Sequence, residues 1–225
     1  MRSMVTRRQF AMMIPAMLAL GAIGATSAFE GGYIGHAKAE QQLFSVLELE
    51  AKGPLEDIVM GAATAPVTII EYASMTCPHC GHFSTETFPK LKEKYIDTGK
   101  VRYILREYPL DGVAAAAFML ARCAGPDKYY PLIETLFAEQ SKWMVKEPLP
   151  PLLNIAKQAG FTEESFHKCL NDQELLKKIT EARNRGQQKF KVEATPTFYI
   201  NGQRFSGALS IKELDDAITP LLKNS

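Results

Sequence analysis

The sequence predicts an α/β fold in which a strand–helix–strand unit and a strand–strand–helix unit flank a block of helices. The first strand is residues 67–72, an apolar and mostly β-branched run that is typical of a strand buried on both faces. A helical pattern and the alternating strand pattern of residues 101–108 follow it and complete a βαβ unit. Near the C-terminus, Asn201-Gly202 lies between two further strand patterns, which is a strong signal for a β-hairpin.

The remaining elements follow along the chain. Residues 41–61 are mildly amphipathic and predict a leading helix or strand. The predicted helices cover residues 83–94, 112–124, 130–144, 149–160, 162–171, 172–189 and 211–222. Among them we expect a kink at Pro89, a helix end at Gly160 and an N-cap at Thr162.

The N-terminus has the pattern of an export signal. Three arginines lie within the first eight residues, and residues 10–23 form an uncharged apolar stretch that is too short to span a bilayer comfortably. Arg7 and Arg8, followed by a polar residue and phenylalanine, resemble a twin-arginine motif, although an ordinary secretion signal remains an alternative. We expect cleavage after Ala28 or after Ala39, or else an uncleaved signal that tethers the protein to the outer face of the inner membrane.

The chain divides into three parts. We assign residues 1–39 to the signal, residues 40–60 to an N-terminal extension, and residues 61–225 to one domain with a helical insertion at about residues 111–191.

The charge of the chain agrees with export. The chain has a formal net charge of +1, and the signal contains four basic residues and one acidic residue, which leaves about −2 for the rest. This near-neutral balance excludes a basic footprint for nucleic acid. The predicted location is the periplasm, an oxidising compartment where disulfides persist.

Cys77 and Cys80 form a Cys-x-x-Cys pair at the junction between the first strand and its helix. A cysteine at a helix N-terminus meets unpaired N–H groups and the helix dipole, which favour the nucleophilic thiolate. Haem attachment is excluded because Gly81, not histidine, follows the second cysteine. A zinc site would be helped by His79 but has no second closely spaced ligand pair in the sequence, so we expect neither a metal nor another cofactor. Zinc and a purely structural disulfide remain the alternatives to redox chemistry.

Four segments together resemble a known family: APVTIIEY at residues 65–72, CPHC at 77–80, REYPL at 106–110 and TPTF at 195–198. They are similar to the DsbA-like branch of the thioredoxin superfamily, and the likeness covers roughly residues 61–222. The resemblance implies a thioredoxin fold (βαβ…ββα) with an all-helical insertion between the two halves. It also implies a protein disulfide oxidoreductase.

The resemblance implies roles for the residues of the motif. Cys77 would be the attacking thiol, and the more buried Cys80 would be the resolving thiol. Pro78 and His79 would tune the reduction potential. A histidine beside the thiolate can donate a hydrogen bond or carry positive charge, which would make the disulfide a stronger oxidant.

Three further residues receive roles from the same resemblance. Pro196 would form a cis peptide bond with Thr195 and face the dithiol. Valine is more familiar than threonine before this proline in the strongest oxidases, so Thr195 leaves the direction of catalysis open. Glu71 would be a buried carboxylate that handles the proton of Cys80, with Arg106 as its expected partner.

Cys123 and Cys169 are the two remaining cysteines, and both fall in the helical insertion. In an oxidising compartment two leftover cysteines tend to pair, and some relatives have a second disulfide in this insertion. The sequence leaves open whether these two form a structural disulfide or remain free thiols, because it does not show that their Cα atoms are within bonding reach.

The sequence therefore predicts a periplasmic thiol:disulfide oxidoreductase that introduces disulfide bonds into exported proteins through Cys77 and Cys80. Its expected partners are reduced exported proteins and, by resemblance, a membrane reoxidase of the quinone-linked DsbB type; we expect a monomer. One alternative is a disulfide isomerase or reductase on the same fold. An alternative of another class is a non-catalytic binding or assembly factor with a structural disulfide.

Overall fold

The computed structural model describes residues 38–223. Residues 1–37 are not described, so the predicted signal, with its arginine pair and the cleavage position at Ala28, lies outside the described residues apart from its last two positions. None of the helices in the described part is long and apolar enough to cross a membrane.

A mixed six-stranded sheet forms the centre of the fold, with the strand order β1-β6-β5-β3-β4-β2. The strands are β1 (Lys38–Leu43), β2 (Val59–Met60), β3 (Val67–Ala73), β4 (Val101–Glu107), β5 (Thr197–Ile200) and β6 (Gln203–Ser206). Strands β3 and β4 are parallel, and the other pairs are antiparallel. The predicted βαβ unit and the hairpin at Asn201-Gly202 are therefore confirmed.

Strand β3 is buried along its whole length, as its apolar sequence predicts. Its register against β4 pairs Glu71 with Leu105 and Tyr72 with Arg106. Because side chains alternate between the two faces of a sheet, Glu71 and Tyr72 enter different layers of the core. One face packs against the larger apolar cluster, and the other packs against a smaller cluster rich in aromatic rings.

The helices are α1 (Val46–Glu50), α2 (Pro78–His82), α3 (Phe88–Leu91), α4 (Gly112–Cys123), α5 (Pro126–Ala138), α6 (Gln140–Trp143), α7 (Leu149–Gln158), α8 (Glu163–Leu170), α9 (Gln173–Phe190) and α10 (Ile211–Lys223). Two π-helical segments, Phe83–Thr87 and Lys92–Ile96, continue α2 and α3. We expected a kink at Pro89; this proline lies in the first turn of α3, just after the first π-helical segment ends at Thr87. Proline has no N–H for an intrahelical hydrogen bond, which accounts for an irregularity at this point.

Some helix ends differ from the prediction. The helix predicted from residue 83 already begins at Pro78, between the two cysteines, because proline is well suited to the first helical position. The predicted helix over residues 130–144 is two helices, α5 and α6, because Glu139 leaves helical geometry with φ −100° and ψ 15°. The N-cap at Thr162 is confirmed by the bond from the Ser165 N–H to its Oγ1, 3.1 Å long.

Helices α4–α9 form the helical insertion between the two halves of the sheet. Trp143 is fully buried in it and donates its Nε1–H to the carbonyl of Leu136 over 2.7 Å, which fixes α6 against the end of α5. Cys123 at the end of α4 and Cys169 in α8 are joined by a disulfide, with their Cα atoms 6.1 Å apart.

Candidate active site

The two cysteines of the motif occupy the first turn of α2 in different environments. Cys77 is the N-cap residue, and Pro78 is the first helical residue. Cys77 is 6% exposed and Cys80 is 0% exposed, whereas Pro78 and His79 between them lie at the surface. Both cysteines are free thiols in this structure. A macromolecule can therefore approach the Cys77 sulfur over an exposed pair of residues, while Cys80 is shielded.

The surroundings of Cys77 favour its thiolate and lower its pKa from 9.0 to about 5. The largest cause is the hydrogen bond from the Cys80 thiol. Burial opposes the shift, whereas the Thr195 side chain and the backbone N–H groups of Cys80 and His79 add to it. These N–H groups belong to the open first turn of α2, where a helix has no internal acceptors for them. The outer sulfur is therefore an anion at neutral pH.

The inner thiol behaves in the opposite way. Burial raises the pKa of Cys80 well above its ordinary value, and donation of its hydrogen bond to Cys77 raises the pKa further. The charge of Glu71 acts in the same direction. The pair therefore consists of an outer thiolate and an inner thiol, which is the division that assigns different roles to two neighbouring titratable groups.

Glu71 lies on β3 and is 2% exposed. Burial raises its pKa from 4.5 to about 8; the hydrogen bond from the Tyr103 hydroxyl lowers it, and the charge of Cys77 raises it. A narrow cavity of about 10 Å³ borders Glu71 and Tyr103 and also touches Glu134, which leaves room for about one water molecule. The carboxyl group can thus hold a proton near neutral pH beside the dithiol.

Arg106 is not the partner of Glu71, contrary to the prediction. It pairs with Tyr72 in the register of β3 and β4, so its side chain enters the opposite layer from Glu71. There it binds Asp57 through Nε at 2.9 Å and Nη2 at 2.8 Å, and it also donates to the carbonyl of Leu49 and the hydroxyl of Tyr72. Tyr103, two positions before Leu105 on β4, lies on the same face as Glu71 and is the residue that bonds it.

The Thr195–Pro196 peptide bond is cis and lies against the dithiol. The Thr195 carbonyl oxygen is 3.2 Å from Cys77 Sγ and can accept its proton when the thiol is neutral. The segment is tied to β6 because the Gly207 N–H donates to the Pro196 carbonyl over 2.9 Å. Thr195 and Pro196 are thus brought to the outer sulfur from the other half of the sheet.

Comparison with known proteins places this arrangement in a family. The thioredoxin family model Thioredoxin_4 matches residues 54–219. The crystal structure of alpha-DsbA1 from Wolbachia pipientis superposes with a TM-score of 0.74 at 33% identity, covering 79% of this chain and 96% of that one. This chain belongs to the DsbA-like branch of the thioredoxin superfamily. The fold class predicted from the sequence, a thioredoxin fold with a helical insertion, is confirmed.

Two Rickettsia proteins named for protein-disulfide oxidoreductase activity are also similar to this DsbA-like chain. The protein from Rickettsia bellii is 33% identical over 171 residues, and the protein from Rickettsia felis is 32% identical over 169 residues. The matches cover 75% and 74% of this chain. They cover 66% and 60% of the two Rickettsia proteins, so this chain spans less than two thirds of the length of these relatives.

Most of the site residues predicted for the DsbA-like family meet at one place. The Cys80 thiol and the Thr195 carbonyl contact the outer sulfur, and Pro196 follows Thr195 through the cis peptide bond. Glu71 interacts with both sulfurs through its charge. His79 is exposed and contacts the Cys77 sulfur with its backbone N–H, and the tuning of the reduction potential by its side chain stays a prediction. Cys123 and Cys169 form their own disulfide in the insertion.

Sequence reasoning missed two residues of this region. Tyr103 was read only as part of a strand, although the β3–β4 register would have placed it near Glu71. Gln140 donates from its side-chain amide to the carbonyl groups of Met75 and Cys77. No local pattern could have indicated it, because its partners lie more than 60 residues earlier in the chain. Across residues 38–223, no group of three or more His, Cys, Asp or Glu residues is placed to hold a metal ion.

Proposed function

We propose that this protein is a thiol:disulfide oxidoreductase that donates the Cys77–Cys80 disulfide to reduced, exported proteins. The observation that supports this most directly is the pKa of Cys77, which its surroundings lower to about 5. A stabilised thiolate at the outer cysteine stabilises the reduced enzyme, and a dithiol whose reduced form is stabilised makes an oxidising disulfide.

The reaction begins with the oxidised enzyme. A client thiolate attacks the Cys77 sulfur, the Cys77–Cys80 bond breaks, and a mixed disulfide forms between the client and Cys77. The Cys80 sulfur leaves with the electron pair and takes a proton from Glu71, whose raised pKa leaves it partly protonated at neutral pH.

The second step releases the product. Another client thiolate attacks the client sulfur of the mixed disulfide, a disulfide forms within the client, and Cys77 leaves as its stabilised thiolate. The client has lost two electrons, and the enzyme now holds the dithiol. Cys77 is a good leaving group because its pKa is low.

The setting of this reaction belongs to the proposal. The apolar stretch and arginine pair near the N-terminus support export to the periplasm, with the protein either released or tethered by its signal. Turnover then requires an oxidant, and we propose a quinone-linked membrane reoxidase of the DsbB type acting on a monomeric enzyme. Exposed apolar side chains at Leu110, Met144 and Val145 are suited to hold an unfolded client.

A disulfide isomerase or reductase on the same fold is the second candidate. It is favoured by Thr195, because the hydroxyl before the cis-proline lies beside the attacking sulfur, where the strongest oxidases have an apolar residue. The two directions of catalysis differ in the reduction potential of the dithiol and not in its geometry.

The deciding experiment is the equilibrium of the Cys77–Cys80 pair with a glutathione buffer. A potential near that of DsbA, about −120 mV, would support disulfide donation, whereas a value near that of thioredoxin, about −270 mV, would identify a reductase. Oxidation of a reduced client and isomerisation of a scrambled one should be assayed in parallel. Cys77→Ser should abolish both activities, and Cys80→Ala should trap mixed disulfides; turnover by the first variant would exclude Cys77 as the nucleophile.

A further inference from the structure

Gln140 brings the helical insertion into contact with the loop that holds the outer cysteine. It is the first residue of α6, directly after the break at Glu139. The buried Trp143 fixes this short helix by its bond to the Leu136 carbonyl. The position of Gln140 is therefore set by the packing of the insertion and not by the cysteine loop.

Both the nitrogen and the oxygen of the Gln140 side-chain amide contact the region around Cys77. Its Nε2 donates to the Met75 carbonyl over 2.8 Å and to the Cys77 carbonyl over 3.0 Å. Its Oε1 lies against Gly81, where an added Cβ would come within 2.8 Å of that oxygen. The amide thus fills a slot between the loop and the first turn of α2, and glycine at position 81 leaves room for it.

We infer that Gln140 is a positioning residue for the dithiol, through which the helical insertion holds the peptide groups around Cys77. This inference rests on the proposed function and adds a residue outside the thioredoxin halves to the site. Gln140 touches neither sulfur, so it acts through the backbone of the loop.

The Gln140 amide restrains two carbonyl groups of the loop, those of Met75 and Cys77. The Cys77 carbonyl also accepts the Gly81 N–H over 3.1 Å, which is the first hydrogen bond of α2. A second donor on the same carbonyl restricts rotation of the peptide that follows Cys77. That peptide leads into the turn whose N–H groups, from His79 and Cys80, contact the sulfur. The bond to Met75 restrains the loop two residues earlier, so both ends of the approach to Cys77 are held.

The alternative is that Gln140 only docks the insertion onto the domain. In that case its loss would lower stability but leave the thiol chemistry unchanged. The two readings are separated by Gln140→Leu, which keeps a side chain of similar size but removes the donor. The matched control is Gln158→Leu at the exposed end of α7, the same change in the same insertion.

We expect Gln140→Leu to raise the pKa of Cys77 by about one unit. The equilibrium constant for oxidation of glutathione by the Cys77–Cys80 disulfide should fall about tenfold. The client-oxidation kcat should fall with KM little changed, and Gln158→Leu should match the wild type. A Cys77 acid dissociation constant and a glutathione equilibrium constant that are each within about twofold of the wild-type values would overturn the inference. This would hold even if the unfolding midpoint had dropped.

Gly81 provides a second test, because it lies against the oxygen of the same amide. Alanine favours a helix more than glycine, so harm from Gly81→Ala must come from the contact with Gln140 Oε1. We expect Gly81→Ala to shift the Cys77 pKa in the wild type but not in a Gln140→Ala background, where the slot is empty. Equal shifts in both backgrounds would contradict the inference.

The outcomes for the two proposals can be told apart. If the wild type does not oxidise clients but Gln140→Leu still shifts the Cys77 pKa, the proposed function is wrong and the positioning role stands. If the wild type is a strong oxidant and Gln140→Leu leaves it unchanged, the positioning role is wrong and the proposed function stands.

Discussion

Cys77 and Cys80 are three positions apart, yet their surroundings shift their pKa values in opposite directions. The difference arises because Cys77 faces the open N–H groups of the helix start, whereas Cys80 is one turn inside and has lost its contact with water. The hydrogen bond between the two sulfurs adds to both shifts. One local structure thus produces a nucleophile and a protected thiol from the same residue type.

The first prediction concerns the titration of Cys77. The rate of alkylation of the reduced protein should rise with pH around a midpoint near 5, because the thiolate is the reactive species. The thiolate absorbance near 240 nm should follow the same curve, and Cys77→Ser should remove it. A midpoint above about 8, the range of an ordinary cysteine, would contradict the proposed stabilisation of the thiolate.

The second prediction concerns Glu71 in the oxidised protein, where neither sulfur titrates. Its pKa is raised from 4.5 to about 8, so the folded state binds more protons than the unfolded state between these pH values. The free energy of unfolding should therefore fall as pH rises from about 5 to 8, by up to about 4 kcal/mol. The oxidised protein has no Cys77 thiolate to raise the pKa of Glu71, so both the rise in this pKa and the loss of stability are somewhat smaller than these values.

Glu71→Gln should remove this loss and keep an acceptor for the Tyr103 hydroxyl. The measurement is urea unfolding of oxidised protein at pH 5 and pH 8, with Glu86→Gln, an exposed site on the following helix, as the control. If wild type and Glu71→Gln have the same pH dependence, Glu71 does not hold a proton near neutral pH. The variant should also slow resolution at Cys80, which stopped-flow fluorescence can follow.

Among the elements, those with a local signal were predicted well. Strand β3 and the hairpin at Asn201-Gly202 were found from hydrophobic pattern and turn chemistry. Strand β1 was missed because its polar sequence, Lys-Ala-Glu-Gln-Gln-Leu, has no apolar alternation, and it is a strand only through its pairing with β6. Helix α5 begins at Pro126, four residues before the predicted start at residue 130, because proline is well suited to the first helical position.

The site was predicted as far as motifs reach. The cysteine pair, Glu71 and the cis-proline were found by their positions in motifs. The error at Arg106 came from neglecting the alternation of side chains across the sheet, which sends neighbouring residues to different layers. Gln140 could not be found because the contact depends on how the insertion folds back over the loop.

At the scale of elements, the third prediction concerns the disulfide between α4 and α8. It spans 46 residues, and a loop of this length contributes about 3 to 4 kcal/mol to stability through the unfolded state. Cys123→Ser/Cys169→Ser should lose this amount in urea unfolding. The variant and the protein with the intact Cys123–Cys169 disulfide should both carry Cys77→Ser/Cys80→Ser, so that the dithiol does not contribute to the difference. A loss below about 1 kcal/mol would show that the bond does little for stability.

The fourth prediction concerns the attachment of the N-terminal extension. Arg106 forms a two-pronged ion pair with Asp57 and also bonds the Leu49 carbonyl, so it ties this segment to β4. Arg106→Met would leave Asp57 unpaired in a partly buried site and should cost about 3 kcal/mol. Arg102→Met, which breaks a more exposed pair with Glu50, is the control and should cost at most about 1 kcal/mol.

Urea unfolding measures both costs, and limited proteolysis between α1 and β2 should become faster in the Arg106 variant alone. Equal losses of unfolding free energy in the two variants would mean that the more buried Arg106 ion pair contributes no more to stability than the more exposed Arg102 pair.

For the molecule as a whole, stability and redox function are two views of one equilibrium. The folded reduced protein binds the Cys77 proton more weakly than the unfolded chain does, because the pKa falls from 9.0 to about 5. This contribution is complete above pH 9 and is lost as pH falls towards 5. A folded state that is more stable when reduced has a disulfide that is correspondingly more oxidising.

The fifth prediction follows from this linkage. The free energy of unfolding of the reduced protein, minus that of the oxidised protein, should rise by about 2 to 3 kcal/mol between pH 5 and pH 7. Urea unfolding of both redox forms at the two pH values measures it. Reduced wild type minus Cys77→Ala, which cannot form the disulfide, should show a similar rise. A difference that does not change with pH would show that the titration of Cys77 does not contribute to the stability of the reduced protein.

Strand β1 bears on how the protein matures. Its first two residues, Lys38 and Ala39, pair with Ser206 and Phe205 on β6. A signal peptidase that cuts after Ala39 would have to act before this edge of the sheet closes, and it would shorten the strand by two residues. A cut after Ala28 would leave the strand whole. If the predicted signal is cleaved, the choice between the two sites would be a competition between proteolysis and the docking of one edge strand.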